Sequence, residues 1–236
     1  MGLRKSLKLE DIGVTNQNSF RIIMTVTIRE AQESDADAVS RICLLTAKGG
    51  QSADDLHDFK ELPGLTYAVP YVKLPTTLGF VLIDDKNSGS GEGDVVGYTL
   101  ASRNSREFDR YAAEHWWPIL AEKYPPSLAQ KPADKEFMEL FRNMHGKSEA
   151  RVSFGAANMH INLLEPYQRQ GWGSKLVGRM VEALRKEDPD GGVTLGMDPR
   201  NLAVRRFYEK FGFESFEGGK FNELGLKFSK AKNLAI

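Results

Sequence analysis

Apolar residues recur along this chain at two spacings, and the switch between them marks the elements. Strand-like patterning predicts strands over residues 25–29, 78–83, 94–101, 156–164, 193–197 and 221–228. Helical spacing places Ala38, Val39, Ile42 and Leu45 on one face of a first helix, with Cys43 beside them. Ser34 is placed at its N-cap and Asp37 at the acidic position of a capping box, and the helix ends near Gly49-Gly50. A shorter helical signal covers 54–59 and is broken by Pro63-Gly64. Residues 107–120 read as a helix carrying Phe108, Tyr111, Trp116 and Trp117, terminated by Tyr124-Pro125-Pro126. Residues 135–144 read as another, with Phe137, Leu140 and Phe141 on its apolar stripe. Leu176, Val177, Met180, Val181 and Leu184 share the stripe of a helix from Ser174, and Asn201 caps a last one.

The remaining stretches are polar. Residues 1–23 read as an extension, 85–93 as a glycine-bearing hairpin connection and 231–236 as a tail. One α/β domain over 24–230 is expected, with 103–150 as a packed aromatic insert. The 32 basic and 32 acidic residues cancel, which gives no signal for a broad nucleic-acid surface. A single cysteine allows neither an internal disulfide nor a cysteine-only metal site, and its apolar setting favours burial over reactivity. His57, His115 and His145 form no evident ligand cluster, so no metal is expected. No run approaches a membrane span and no leader pattern opens the chain, so the cytoplasm is the expected compartment.

Chemistry concentrates in Met159-His160-Ile161-Asn162-Leu163-Leu164-Glu165-Pro166-Tyr167-Gln168-Arg169-Gln170-Gly171-Trp172-Gly173, a strand running through a turn into a helix. Glycines at 171 and 173 let main-chain N–H groups approach a ligand, and the helix start adds free donors and partial positive charge. Two readings stand: a phosphate-holding nest, or a tight turn. The order of a P-loop is missing, and so is the third glycine of a dinucleotide fingerprint.

The segment from Gln168 to Gly173 reads Gln-x-x-Gly-x-Gly and resembles the coenzyme A loop of the GCN5-related N-acetyltransferase (GNAT) superfamily. A second signature lies downstream: Asn201-x-Ala203, then Phe207-Tyr208-Glu209-Lys210-Phe211-Gly212-Phe213. Its Asn-to-Ala spacing is one residue tighter than the family's, and Val204 stands in the family's alanine place. A closer resemblance joins the aromatic stretch from Phe108 to Tyr124, the strand from Met159 to Leu164 and Asp198-Pro199-Arg200 to the acetyltransferase-like domain of O-GlcNAc hydrolases and its stand-alone microbial relatives. The hydrolase's catalytic domain has no room ahead of this domain, so glycosidase activity is not carried over.

The resemblance implies a central mixed, twisted sheet with splayed fourth and fifth strands, flanked by helices. It implies acetyl-CoA as cosubstrate and transfer of the acetyl group to a small-molecule or peptide amine in a ternary complex, with a noncatalytic acetyl-CoA-binding or interaction module as the alternative. Main-chain groups of Ile161, Leu163 and Leu164 would pair with the pantetheine arm, and an N–H near Leu163 or Leu164 would receive the oxyanion. Gln168, Arg169, Gln170, Gly171, Trp172, Gly173 and Ser174 would hold the pyrophosphate; Arg169 is either a charge partner or a solvated loop residue. Tyr208 matches the family tyrosine that protonates the leaving thiolate, against a core aromatic. Asn201 is a cofactor-side group or a local cap. Asp198 is a base, an acceptor-binding acid or the fixer of a turn, and His160 is a cleft residue or a structural histidine. Trp116 and Trp117 either anchor the insert or wall the acceptor groove. No nucleic-acid or membrane partner is implied, and the oligomeric state, monomer or homodimer, is open.

Overall fold

The computed structural model describes residues 26–85, 93–144, 146–199 and 201–234. The expected extension 1–23, most of the 85–93 loop, His145 and Arg200 lie outside the described residues. Six strands form one sheet in sequence order: β1 (Val26–Glu30), β2 (Thr77–Asp84), β3 (Asp94–Ser102), β4 (Ala157–Leu163), β5 (Gly192–Gly196) and β6 (Glu223–Lys227). All neighbours run antiparallel except β4 and β5, which are parallel. A parallel pair needs a crossover, and α8 (Trp172–Glu187) supplies it.

Both faces of the sheet are covered, as β2 shows: Phe80 and Leu82 face one side, Val81 and Ile83 the other. The first side packs on Leu176, Val177, Met180, Val181 and Leu184 of α8 and on the aromatics around α9 (Leu202–Glu209). The second packs on Val39, Ile42 and Cys43 of α1 (Ala36–Leu44) and on Tyr71 of α3 (Pro70–Lys73). A third cluster is built by α2 (Leu62–Tyr67) with α4 (Ser105–His115), α5 (Trp117–Lys123) and α6 (Pro132–Arg142): Leu62, Ala112, Trp117, Leu120, Met138 and Phe141. The stretch between β3 and β4 therefore shares a small separate core with α2.

Several local expectations change. Asp35, not Asp37, completes the capping box at the start of the first helix: its carboxylate accepts from the Gln32 amide at 2.8 Å and takes both guanidinium donors of Arg29 at 2.8 Å. Pro63 and Gly64 do not break a helix but open α2; proline fits a first turn because its missing N–H would be unpaired there. Gly64 is required by packing, since a Cβ there would lie 2.6 Å from Ser40 Cα. The helix read over 107–120 breaks at Trp116, because Pro118 has no N–H to continue the ladder and begins α5 instead. A further helix, α7 (Glu149–Phe154), is capped by Ser148, which accepts from the Arg151 amide.

Candidate active site

The site starts from a failure of pairing. β4 and β5 are joined only at Ala157–Val193 and Asn158–Thr194, and then they part. On its other edge β4 stays laddered to β3 as far as Leu163. The Leu164 amide donates to Val96 O at 3.0 Å, which fixes the parity: even-numbered residues of β4 bond to β3, and odd-numbered ones turn their main chain toward the gap. Ile161 and Leu163 therefore present main-chain groups to the opening. Leu164 does not; its N–H is spent on β3, which corrects its assignment as an oxyanion or pantetheine donor.

At the mouth of the gap the turn after β4 enters α8. Arg169 (φ 57°) and Gly171 (φ 88°) both take left-handed backbone, which turns successive N–H groups toward a common point. The amides of residues 169–174 donate to no protein acceptor among the described residues. A Cβ on Gly171 would meet nothing within 4 Å, so its side faces open space. The side chains of the motif do something else. Gln168 Nε2 donates to Leu163 O at 2.9 Å and Gly50 O at 3.3 Å, and Gln170 Nε2 donates to Pro166 O. These glutamines brace the turn and leave its amides outward. Trp172 is absent from the lining of the cleft that opens from this turn, and Lys175 Nζ lies 4.4 Å from its ring. A Cβ on Gly173 would reach 3.3 Å from the Phe207 ring, so this glycine lets α8 approach α9.

A cleft of about 1760 Å³ runs from this turn, through the gap, to the insert. Arg169, Gly171, Gly173, Ser174, Ile161, Leu163, His160, Asp198, Asn201 and Tyr208 all line it. Tyr208 is buried among Phe207 and Phe213, and burial pushes its hydroxyl well above the ordinary tyrosine range. Its oxygen has no protein partner among the described residues yet is not sealed off, so it opens on the cleft. Asn201 is the cap of α9, accepting from the Val204 amide at 3.3 Å, and it also donates to Gly49 O at 3.2 Å. Its amide ties α9 to the glycine turn after α1. Asp198 begins the same corner, its carbonyl accepting from the Asn201 amide at 2.9 Å.

His160 sits beyond the gap in a polar cluster that the sequence did not disclose. Its Nε2 lies 3.3 Å from the Tyr71 hydroxyl and 3.4 Å from Asn158 Nδ2. Burial first, then the charges of Lys147 and Arg151, holds the imidazole down to about 3, so it is neutral at physiological pH. Lys147 pairs with Asp109 at 2.8 Å and Arg151 with Glu223 at 3.6 Å. The two tryptophans separate. Trp117 lines the cleft and stacks on Phe141, whereas Trp116 is absent from the lining and donates its indole N–H to Leu65 O at 3.0 Å, an anchor of the insert. Cys43 is 3% exposed and its thiol is pushed up to about 12 by burial, in keeping with the buried reading. Among the described residues, no group of three His, Cys, Asp or Glu side chains could hold a metal, and no helix is long and apolar enough to cross a membrane.

A mixed sheet whose parallel fourth and fifth strands part over an amide-lined turn is the GNAT arrangement. Residues 136–213 match the acetyltransferase (GNAT) family model, and this match together with the fold supports membership of that superfamily. The structure of SsHAT is similar to it, with 27% identity, 86% of this chain and 98% of that one covered, and a TM-score of 0.71. The Arabidopsis thaliana NAA60 structure in complex with acetyl-CoA shows 14% identity over 85% of this chain and 96% of that one, at a TM-score of 0.45. The structure of yncA from Salmonella typhimurium with its cofactor acetyl-CoA shows 15% identity over 86% and 94%, at 0.47.

Proposed function

We propose that this protein transfers the acetyl group of acetyl-CoA to a primary amine by direct attack in a ternary complex. The observation that carries the reading is the run of unengaged amides at 169–174 set at the mouth of a gap edged by Ile161 and Leu163. A diphosphate fits that nest, with Ser174 and the first turn of α8 adding donors and the helix dipole. The main chain of Ile161 and Leu163 would take the pantetheine arm as an added strand edge. Acetyl-CoA supplies an activated acyl thioester. The Leu163 N–H is the oxyanion donor of this scheme, replacing Leu164. Tyr208 supplies the proton to the departing sulfur; its raised value keeps the hydroxyl protonated until then.

Gln168 and Gln170 hold the turn in shape, and Trp172 contributes its amide. Asp198 and Asn201 fix the corner where α9 meets the nest. A neutral, hydrogen-bonded His160 orients the acceptor or its neighbours and is a poor base. The cleft continues past Tyr208 to the insert, which supports turnover over the noncatalytic module, because that module needs no acceptor space. The acceptor is a small-molecule or peptide amine, the expected site of action is the cytoplasm, and Trp117 is its wall. The closer kinship to the O-GlcNAc hydrolase-type acetyltransferase domain is kept as part of the proposal.

Calorimetry against acetyl-CoA and coenzyme A tests the nest. Thiol release against a panel of amines, with mass detection of the acetylated product, tests the transfer. Amine-dependent release with matching product is the expected result; binding of neither cofactor form would remove the reading.

A further inference from the structure

The cleft ends at a second ionisable pair that the scheme above does not use. His57 Nδ1 lies 2.7 Å from Asp134 Oδ1, with side-chain exposures of 3% and 0%. The two residues come from distant parts of the chain, the turn before α2 and the first turn of α6. Asp134 is fully engaged: its other oxygen accepts from the main-chain N–H groups of Asp58 at 2.8 Å and Phe59 at 3.4 Å. As an acceptor, the carboxylate fixes the imidazole proton on Nδ1. The lone pair of His57 is thereby left on Nε2. That nitrogen has no partner among the described residues and is not sealed off, and His57 lines the cleft. A histidine that only tied the turn to α6 would need Nδ1 alone.

The dyad also stands on the route an acceptor would use. The His57 ring packs on Phe137 at 5.4 Å, Phe137 on Tyr67 at 5.9 Å, and Tyr67 on His160 at 6.3 Å. This row of rings leads from the dyad to β4, and aromatic faces attract an ammonium group. The charged groups around His57 are Asp134 on α6 and, on its own segment, Asp58, which pairs with Lys131 at 3.0 Å.

Resting on the transfer reading above, we propose that His57, oriented by Asp134, is the base that removes a proton from the acceptor ammonium. The proton passes from nitrogen to Nε2 while the acceptor stands at the dyad end of the cleft, before the neutral amine moves along the row of rings to the thioester. The freed electron pair forms the C–N bond to the thioester carbonyl carbon and the C–S bond breaks with its pair on sulfur. Sulfur takes the Tyr208 proton, and the second proton leaving nitrogen restores it. His57 returns its proton to solvent, so the sum is one amide, one thiol and one released proton.

The test compares wild type with His57→Gln and Asp134→Asn on primary amines graded in basicity from tyramine to 2,2,2-trifluoroethylamine. The last is a weak base, already neutral at pH 7.5. Circular dichroism and acetyl-CoA calorimetry check that fold and nest are intact; should Asp134→Asn fail to fold, His57→Gln carries the comparison. The expected result is a kcat loss of ~100-fold on tyramine, the lower end of what general acid–base catalysis supplies, shrinking to within about threefold on the weakly basic amine. Equal losses on both amines, or none on either, overturn the base role and leave the transfer reading standing. Wild-type protein that turns over none of the amines removes both.

Discussion

At the scale of single residues, Tyr208 and His160 are shaped by the same force in opposite chemical senses. Burial disfavours the charged form of each, so the phenol keeps its proton and the imidazole stays without one. Tyr208→Phe removes only the hydroxyl that opens on the cleft. The expected outcome is an unchanged circular dichroism spectrum with turnover reduced ~10-fold or more; full turnover across pH would reject the acid role. For His160 the consequence is one of stability. The unfolded chain takes up this proton near 6.5, whereas the folded chain resists until about 3. Between those values the unfolded state binds more protons, so folding weakens as pH falls. Urea midpoints at pH 7 and pH 4.5 should differ less in His160→Gln than in wild type. An equal difference in both proteins would mean that this imidazole is not held neutral.

At the scale of elements, what was legible in the sequence was what is local. All six strand cores fall where the patterning puts them, and the readings over 156–164 and 221–228 are longer than the observed Ala157–Leu163 and Glu223–Lys227. The turn was legible because its glycines are contiguous with the strand and helix they join. Misreadings came where a residue has two local meanings. Pro63-Gly64 and Pro118 can end a helix or begin one, and packing of Gly64 on Ser40 decides the first case. The polar helix α7 carries no apolar stripe to announce it. The parity that excludes Leu164 depends on the register against β3, and the pairing of His57 with Asp134 spans 77 positions, so neither is written in any local pattern. The two motif glycines show how one signature hides two jobs. Gly171 needs its left-handed backbone, and Gly173 needs to clear Phe207. Gly171→Val should weaken acetyl-CoA binding by roughly tenfold, ~1.4 kcal/mol, by turning the nest amides apart. Gly173→Val should instead lower unfolding free energy by ~1–3 kcal/mol through overpacking of α8 on α9. Calorimetry and urea unfolding on both variants check the division; the reverse pattern would exchange the two roles.

At the scale of the whole molecule, the sheet is two blades with a thin hinge of pairing. β1 to β4 form one blade and β5 with β6 the other, and only two residue pairs of β4 and β5 join them before the strands part. Side chains reinforce the join at that point: Arg151 reaches Asn158 on β4, Thr194 on β5 and Glu223 on β6. Past it, the hydrogen-bonding edge of β4 has no strand partner among the described residues, so part of the cohesion between blades is left for whatever occupies the gap. A ligand that bonds to Ile161 and Leu163 and to the nest would bind the folded chain alone, because the unfolded chain has neither gap nor nest. Mass action then fixes the size of the effect: at a hundred times its dissociation constant, acetyl-CoA should raise the unfolding free energy by about 2.7 kcal/mol. Hydrogen exchange should locate it, slowing at the amides of 161, 163 and 169–174 and leaving those of His160, Asn162 and Leu164, already paired with β3, unchanged. Slowing confined to even-numbered residues of β4 would contradict the parity on which the site is built. A rise in stability with no slowing at 169–174 would mean that the diphosphate is held elsewhere.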